Sequence, residues 1–533
     1  MAGLHRAMAE VHTWAGLILG WLLVFVFLTG TAGYFDTEID RWMQPERPVA
    51  PQVEDTALAL THGVNYLTEH AADADSWFLR VPRDRTYSPW LFLSWSDDEG
   101  GGRAELDPND GELVPSPRDT GGGLTLYRMH YVLHYLPERA GEWIVGVAAM
   151  FMLLALVTGV IVHRRIFGDF FTFRPGKRQR SWLDAHNALG VLSLPYQFMI
   201  TYSGLVILAG VYMPLIIAAH YGMDDRGLPD RQTMHVETDP AGMVQVDPSG
   251  TPSPLVDMAE LVARIDANWG PDAVHYLQFH QPGDASAVIV AGGDIASSPM
   301  WNSARLVFSG SMGELLAQQE AVSSPAIAIT DVLRGLHEAN FAGPLLRWML
   351  FLSGVMGTGM IATGLVLWTV KRRQKIEKTR GTPHLGLKLV ERLNVAVIIG
   401  LPIAIAAYFW ANRLLPLDWP SRAEWEAHVM FMVWLGLLLH AGMRSTQRAW
   451  REQAILAAAG FGLLPVLNAV TTQRHLGVSL ATGDWVFAGF DLAMLAIGSG
   501  FAALAWRLNR SCGNSSHRAT GPAVASHDSK AAS

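Results

Sequence analysis

The chain alternates between long apolar runs and polar stretches with regular patterning. Eight runs, roughly 12–34, 143–163, 187–213, 346–370, 393–411, 426–443, 454–470 and 485–506, are long enough to cross a bilayer, for which about 20 residues suffice. Two of the intervening segments, 35–142 and 214–345, are long and read as small α/β domains. In the first, residues 56–71 suit a helix. Strand-like runs follow at Trp77–Val81, Pro89–Trp95 and Arg103–Val114, the last broken by the turn sequence Asp107-Pro108-Asn109-Asp110-Gly111. The second repeats the order, with a helix over Leu255–Trp269 and strands at Ala273–Phe279, Ala287–Ala291 and Ala304–Leu316. Gly-Glu-Leu closes a turn in both, at Gly111-Glu112-Leu113 and Gly313-Glu314-Leu315.

Composition supports the membrane reading. Only 17% of the 533 residues are charged and 50% are hydrophobic. A soluble domain carries about 25% charged residues, so a soluble enzyme and a disordered chain are excluded. The net charge of −8 argues against nucleic acid as a partner. The single cysteine, Cys512, makes no intramolecular disulfide, iron–sulfur cluster or multi-thiolate zinc site.

Charge also sets the expected orientation. The lysines, Lys177, Lys371, Lys375, Lys378, Lys388 and Lys530, fall with arginine-rich loops on one side. By the positive-inside rule that side is the cytoplasm, and both termini lie there. The first span is too long for a signal peptide and serves as an anchor. The expected organisation is a first span (1–34), an external domain (35–142), spans two and three with a basic loop (143–213), and a second external domain (214–345). A fourth span (346–370), a basic loop (371–392), four C-terminal spans (393–506) and a disordered cytoplasmic tail (507–533) complete it.

The spans themselves are duplicated. His12-x-x-x-Gly16 opens the first and Thr29-Gly30 follows; His186-x-x-x-Gly190 opens the third, with Ser203-Gly204 at the same offsets. Trp143 precedes Thr158-Gly159 as Trp348 precedes Thr363-Gly364, and Leu133-His134 and Leu336-His337 lead into their spans. The small residues permit close helix approach or leave room for a flat macrocycle. The unit of span, external domain, span is therefore used twice, and four spans form a bundle with pseudo-twofold symmetry.

Polar groups at membrane depth are costly and often functional. His12, His163 and His186 cluster at one face; His130, His134 and His337 cluster at the other. If helical, His130 and His134 share one helix face. Two clusters from different helices suit two bis-histidine b-type haems, the alternative being ordinary interfacial histidines. The repeat favours His12 with His186, and His337 with His130 or His134. His163 breaks the symmetry, since Trp368 holds its counterpart position. No Cys-x-x-Cys-His motif exists, so a haem would be held non-covalently.

Several motifs occur in order: His12-Thr13-Trp14-Ala15-Gly16, Leu126-Tyr127-Arg128-Met129-His130-Tyr131-Val132-Leu133-His134 and Val162-His163-Arg164-Arg165-Ile166-Phe167, then Phe170-Phe171-Thr172-Phe173-Arg174-Pro175-Gly176-Lys177 and Ser181-Trp182-Leu183-Asp184-Ala185-His186-Asn187. Over about residues 5–375 the chain resembles the PepSY-associated transmembrane family of Gram-negative inner-membrane proteins. The resemblance implies a mainly α integral membrane protein whose duplicated four-helix bundle holds haem b through the six histidines. It also implies two periplasmic PepSY-like domains and reduction of a ferric siderophore or other ferric chelate in the periplasm. No Gly-x-Gly-x-x-Gly fingerprint is present, so a quinol or a separate cytoplasmic reductase would donate the electrons. Two alternatives stand: a non-enzymatic PepSY protein regulating an envelope peptidase or sensor, and an iron or siderophore permease.

The four C-terminal spans lie outside the resemblance. His428 and His440 differ by about 120° in azimuth on one helix, so no third bis-histidine site is expected. Asp491 would serve a proton relay or quinone contact, or cap a polar neighbour such as Asn468.

Overall fold

The computed structural model describes the chain except residues 1, 50, 84–88, 98–99, 163–167, 169–178, 214, 216–217, 220–221, 224–246, 294–297, 301–302, 321–324 and 520–533. Eight helices among the described residues are long and apolar enough to span a membrane. Each overlaps one of the apolar runs. The chain forms two compact units, one of residues 1–118 and 122–364, the other of residues 119–121 and 365–533.

In the first unit, α1 (Ala2–Ala32) is followed by the short α2 (Asp36–Met43), and α3 (Thr56–His70) begins the first external segment. Asp55 caps α3, its carboxylate accepting from the Ala57 and Leu58 backbone N–H groups. Strands β1 (Ser76–Arg80), β2 (Leu91–Asp97) and β3 (Gly100–Leu106) follow. Then come α4 (Gly122–Val132) and the apolar helices α5 (Glu138–Val162) and α6 (Gln179–Ile207). The second segment supplies α7 (Met258–Trp269), β4 (Val274–His280), β5 (Val288–Gly293), β6 (Arg305–Ser309) and β7 (Leu315–Gln319). Next are α8 (Pro325–Glu338) and α9 (Pro344–Lys378).

The two external segments are not separate domains, as the sequence had implied. Their strands join in one seven-stranded antiparallel sheet of order β3-β2-β1-β4-β5-β6-β7. The joint is β1 on β4, with Trp77 opposite Phe279 and Leu79 opposite Leu277. Each half alone would leave an edge strand with unpaired backbone groups, and pairing the two edges removes both. Leu60 and Leu67 of α3 and Leu261 and Ile265 of α7 pack with Leu79, Leu93, Leu277 and Ile289 in one shared core. Trp77 and Trp90 are buried, which favours a packing role for them over a binding surface.

The second unit contains four apolar helices: α10 (Leu385–Leu414), α11 (Arg422–Met443), α12 (Thr446–Thr471) and α13 (Trp485–Arg510). Ile399, Ile403, Leu437, Ala454, Ala457 and Ala505 form its apolar centre. A polar network is buried beside it. Arg422 and Glu426 are ion-paired at 2.5 Å, both side chains fully buried. Glu426 also accepts from Asn412, from the Thr120 hydroxyl at 2.6 Å and from the Gly121 backbone N–H at 3.0 Å. Asp491 is buried and accepts from Asn468 at 3.1 Å, the capping arrangement rather than an isolated carboxylate. His440 is bonded to Glu452 at 2.8 Å, and the His428 ring lies against Trp425. These two histidines form no pair.

Candidate functional site

Four histidines of the first unit meet in two pairs, one near each end of the bundle. His12 on α1 faces His186 on α6, with ring centroids 6.3 Å apart and ring planes at 70°. His130 on α4 faces His337 on α8, also at 6.3 Å, with planes at 21°. Along α6, His186 and the Ser203-Gly204 pair that meets His337 are separated by roughly 25 Å at 1.5 Å per residue.

Each imidazole lies against a Thr-Gly or Ser-Gly pair on a neighbouring helix. A Cβ at Gly159 would come within 3.2 Å of His12 Cε1, at Gly364 within 3.1 Å of His186 Cε1, and at Gly204 within 3.1 Å of His337 Cε1. One at Gly30 would meet His130 Cγ at 3.4 Å. The preceding hydroxyl is turned back onto its own helix in every case. Thr29 donates to Phe25 O at 2.8 Å, Thr158 to Leu154 O at 2.8 Å, Ser203 to Met199 O at 2.6 Å and Thr363 to Gly359 O at 2.7 Å. The small residues thus let helices approach closely, and at each of them the neighbour that comes near is an imidazole of the protein itself.

The same local geometry fixes which ring nitrogen faces inward. His12 Nδ1 bonds the Ala155 carbonyl at 2.9 Å and His186 Nδ1 the Met360 carbonyl at 2.8 Å, each four residues before the contacting glycine. His337 Nδ1 is 2.8 Å from the Ser203 hydroxyl, and its ring also bonds the Ile200 carbonyl, again four residues before its glycine. His130 Nδ1 bonds the Tyr127 carbonyl. With Nδ1 donating, Nε2 carries the lone pair available to a metal.

Burial pushes the His130 imidazole down to about 4. It pushes His337 down to about 3, with His130 adding to the effect. Both rings are therefore neutral near pH 7, the state a metal ligand requires. A cavity of about 290 Å³ opens beside this pair, its walls including Gly30, Gly204, Tyr127 and Arg334. Arg334 is paired with Glu338 at 3.0 Å.

The spacing has a chemical meaning. Metal–imidazole bonds of about 2.0–2.1 Å, made from opposite sides of one ion, place ring centres roughly 6.3–6.4 Å apart. No group of three or more His, Cys, Asp or Glu that could hold a metal ion exists among the described residues. Two imidazoles alone are too few for a bare ion with four or six ligands. They suffice for a metal that brings its other donors in a planar ring.

The sequence model described as the PepSY-associated TM region matches residues 9–371. The chain belongs to the PepSY-associated TM region family. The match includes all four paired histidines and their four glycines, and it ends before α10. No curated protein matches the chain.

Within the PepSY-associated TM region, two of the six candidate histidines stand apart from the pairs. His134 lies in the turn after α4, because the helix ends at Val132 and Leu133 adopts φ 60°. It does not share a helical face with His130, and its ring lies against Tyr135. The structural counterpart of His337 is thus His130, not His134. Of the two residues that the repeat leaves open as the partner of His337, His130 is the one whose ring faces it, and the chain turns with positive φ after both helices, at Leu133 and at Ala339. His163 lies outside the described residues. Two polar groups of this region had not stood out in the sequence: the Tyr34–Tyr196 hydroxyl contact at 3.1 Å and Gln197. A glutamine inside an apolar span was the available signal for the second.

Proposed function

We propose that this protein is a b-type haem oxidoreductase of the inner membrane that reduces a ferric siderophore or similar ferric chelate in the periplasm. The observation that carries the reading is the twofold occurrence of one arrangement: two imidazoles at 6.3 Å with Nδ1 engaged and glycine opposite the ring. His12 and His186 would hold one haem, His130 and His337 the other. A bis-imidazole haem supplies one-electron transfer without ligand exchange.

The chain's own contributions follow from the geometry. The carbonyls of Ala155 and Met360 orient the imidazoles of His12 and His186, and Tyr127 that of His130. The engaged Nδ1–H raises ligand basicity and holds the ring against rotation. Apolar helices surround both histidine pairs, and the Arg334–Glu338 pair lines the cavity beside His130 and His337. Two sites at opposite ends of α1 and α6 suit electron movement across the membrane. Lysine-rich loops and both termini would lie in the cytoplasm, and the seven-stranded sheet in the periplasm. A quinol or a cytoplasmic reductase would supply electrons. Reduction loosens iron from hard oxygen ligands, the step that unloads a chelate.

The test is the visible spectrum of the purified full-length protein, oxidised and dithionite-reduced. The expected result is a sharp reduced α-band with about two haems per chain, and reoxidation on adding a ferric chelate. A colourless protein from haem-replete cells overturns the reading and leaves the non-enzymatic alternative.

A further inference from the structure

We propose that Gln197 and Thr201 hold internal water, extending the cavity beside His130 and His337 into the middle of the bundle. Gln197 on α6 is fully buried, and neither its Oε1 nor its Nε2 has a hydrogen-bond partner among the described residues. Thr201, one turn later on the same face, is 6% exposed, its hydroxyl equally unpartnered. Thr201 lines the cavity. Three buried polar atoms without partners among the described residues thus lie on one stripe of one helix, and the Thr201 end of that stripe lines the cavity.

The position of the amide is not incidental. A Cβ at Gly357 of α9 would lie 1.7 Å from Gln197 Nε2, so a glycine is what admits the amide. Thr201 also differs from its neighbour Ser203, whose hydroxyl bonds back to the Met199 carbonyl. Each unsatisfied buried polar group costs about 1–3 kcal/mol, and native proteins satisfy such groups with ordered water making two to four bonds. The amide offers two N–H donors and an acceptor, and the hydroxyl one of each, which is a sufficient partner set for one or two waters.

The consequence rests on the haem reading above. A bis-imidazole ferric haem carries a net positive charge that the ferrous form lacks. Oriented water and an amide dipole nearby stabilise the ferric form and lower its potential. Gln197 precedes Ser203 by about 9 Å along the helix axis and follows His186 by about 16 Å. The effect therefore falls mainly on the His130–His337 site.

Two measurements on the full-length protein decide the matter. The first is a structure at a resolution that shows ordered water. Water bonded to both Gln197 and Thr201 is expected. A dry site, or a haem carboxylate bound to the amide, overturns the proposal. This arm is independent of haem, so a haem-free protein refutes the functional reading while the water site is still decided. The second is a redox titration of Gln197→Leu followed in the visible spectrum. One of the two haem components should move to higher potential and the other stay, with His337→Ala identifying which is which. No shift, an equal shift of both, or a shift of the His12–His186 component overturns it. Thr201→Val should move the same component in the same direction, and it replaces Gln197→Leu if that variant does not fold.

Discussion

Gly364 leaves the space that the ring of His186 fills, since a Cβ at this position would stand 3.1 Å from Cε1 and 3.3 Å from Nδ1. The ring is held from the same helix by the Met360 carbonyl at 2.8 Å. One turn of α9 therefore provides both the clearance and the anchor for one imidazole, and α5 repeats this for His12 through Gly159 and Ala155.

A branched side chain at Gly364 should displace His186. Gly364→Val is expected to lose one of two haems, roughly halving the reduced α-band. Gly364→Ala needs a shift of only a few tenths of an ångström and should keep both haems with an altered potential. Haem-to-protein ratios for the two variants check this, and equal ratios would show that the glycine does not set the site.

The pairing of His130 with His337 separates two neighbours. His130→Ala should lose one haem, whereas His134→Ala, whose ring sits in a turn, should keep both. Spectra of the two purified variants decide between them. Haem loss in the second alone would reverse the assignment.

The buried histidines make the haem-free protein sensitive to acid. Burial holds the folded imidazoles of His130 and His337 down at about 4 and about 3, below the value of about 6.5 for a solvated histidine. The unfolded chain thus binds more protons in this window. Stability is fully present above about pH 6.5 and falls as the pH drops toward the folded values. Thermal unfolding of apoprotein from pH 7.5 to 4.5 should show this decline, and His337→Asn should flatten it.

The ion pair of Arg422 and Glu426 is fully buried in the second unit. Removing one partner of such a pair leaves an uncompensated charge, at about 3–5 kcal/mol. Glu426→Ala should therefore lower the unfolding temperature in detergent more than Arg6→Ala at the exposed Arg6–Glu10 pair. Replacing both Arg422 and Glu426 with apolar residues should recover part of the loss, but not the part due to Thr120 and Gly121.

Much of this was legible along the chain. The eight membrane-capable helices, the α/β content of the external segments and the duplication follow from local pattern, because burial in lipid demands long apolar runs and helices satisfy their own backbone. His12 with His186 followed from equal places in a repeat. The choice between His130 and His134 did not, since it depends on where α4 ends, and a one-residue change in backbone φ at Leu133 decides it.

Local sequence supplies the inventory: which segments are apolar, which residues recur, and which side chains can bind a metal. The tertiary structure decided the partners. It joined β1 to β4 in a single sheet, because unpaired edges seek each other wherever they lie in the chain. It also set each imidazole opposite a glycine on another helix, at a distance that only the packing of those helices can fix.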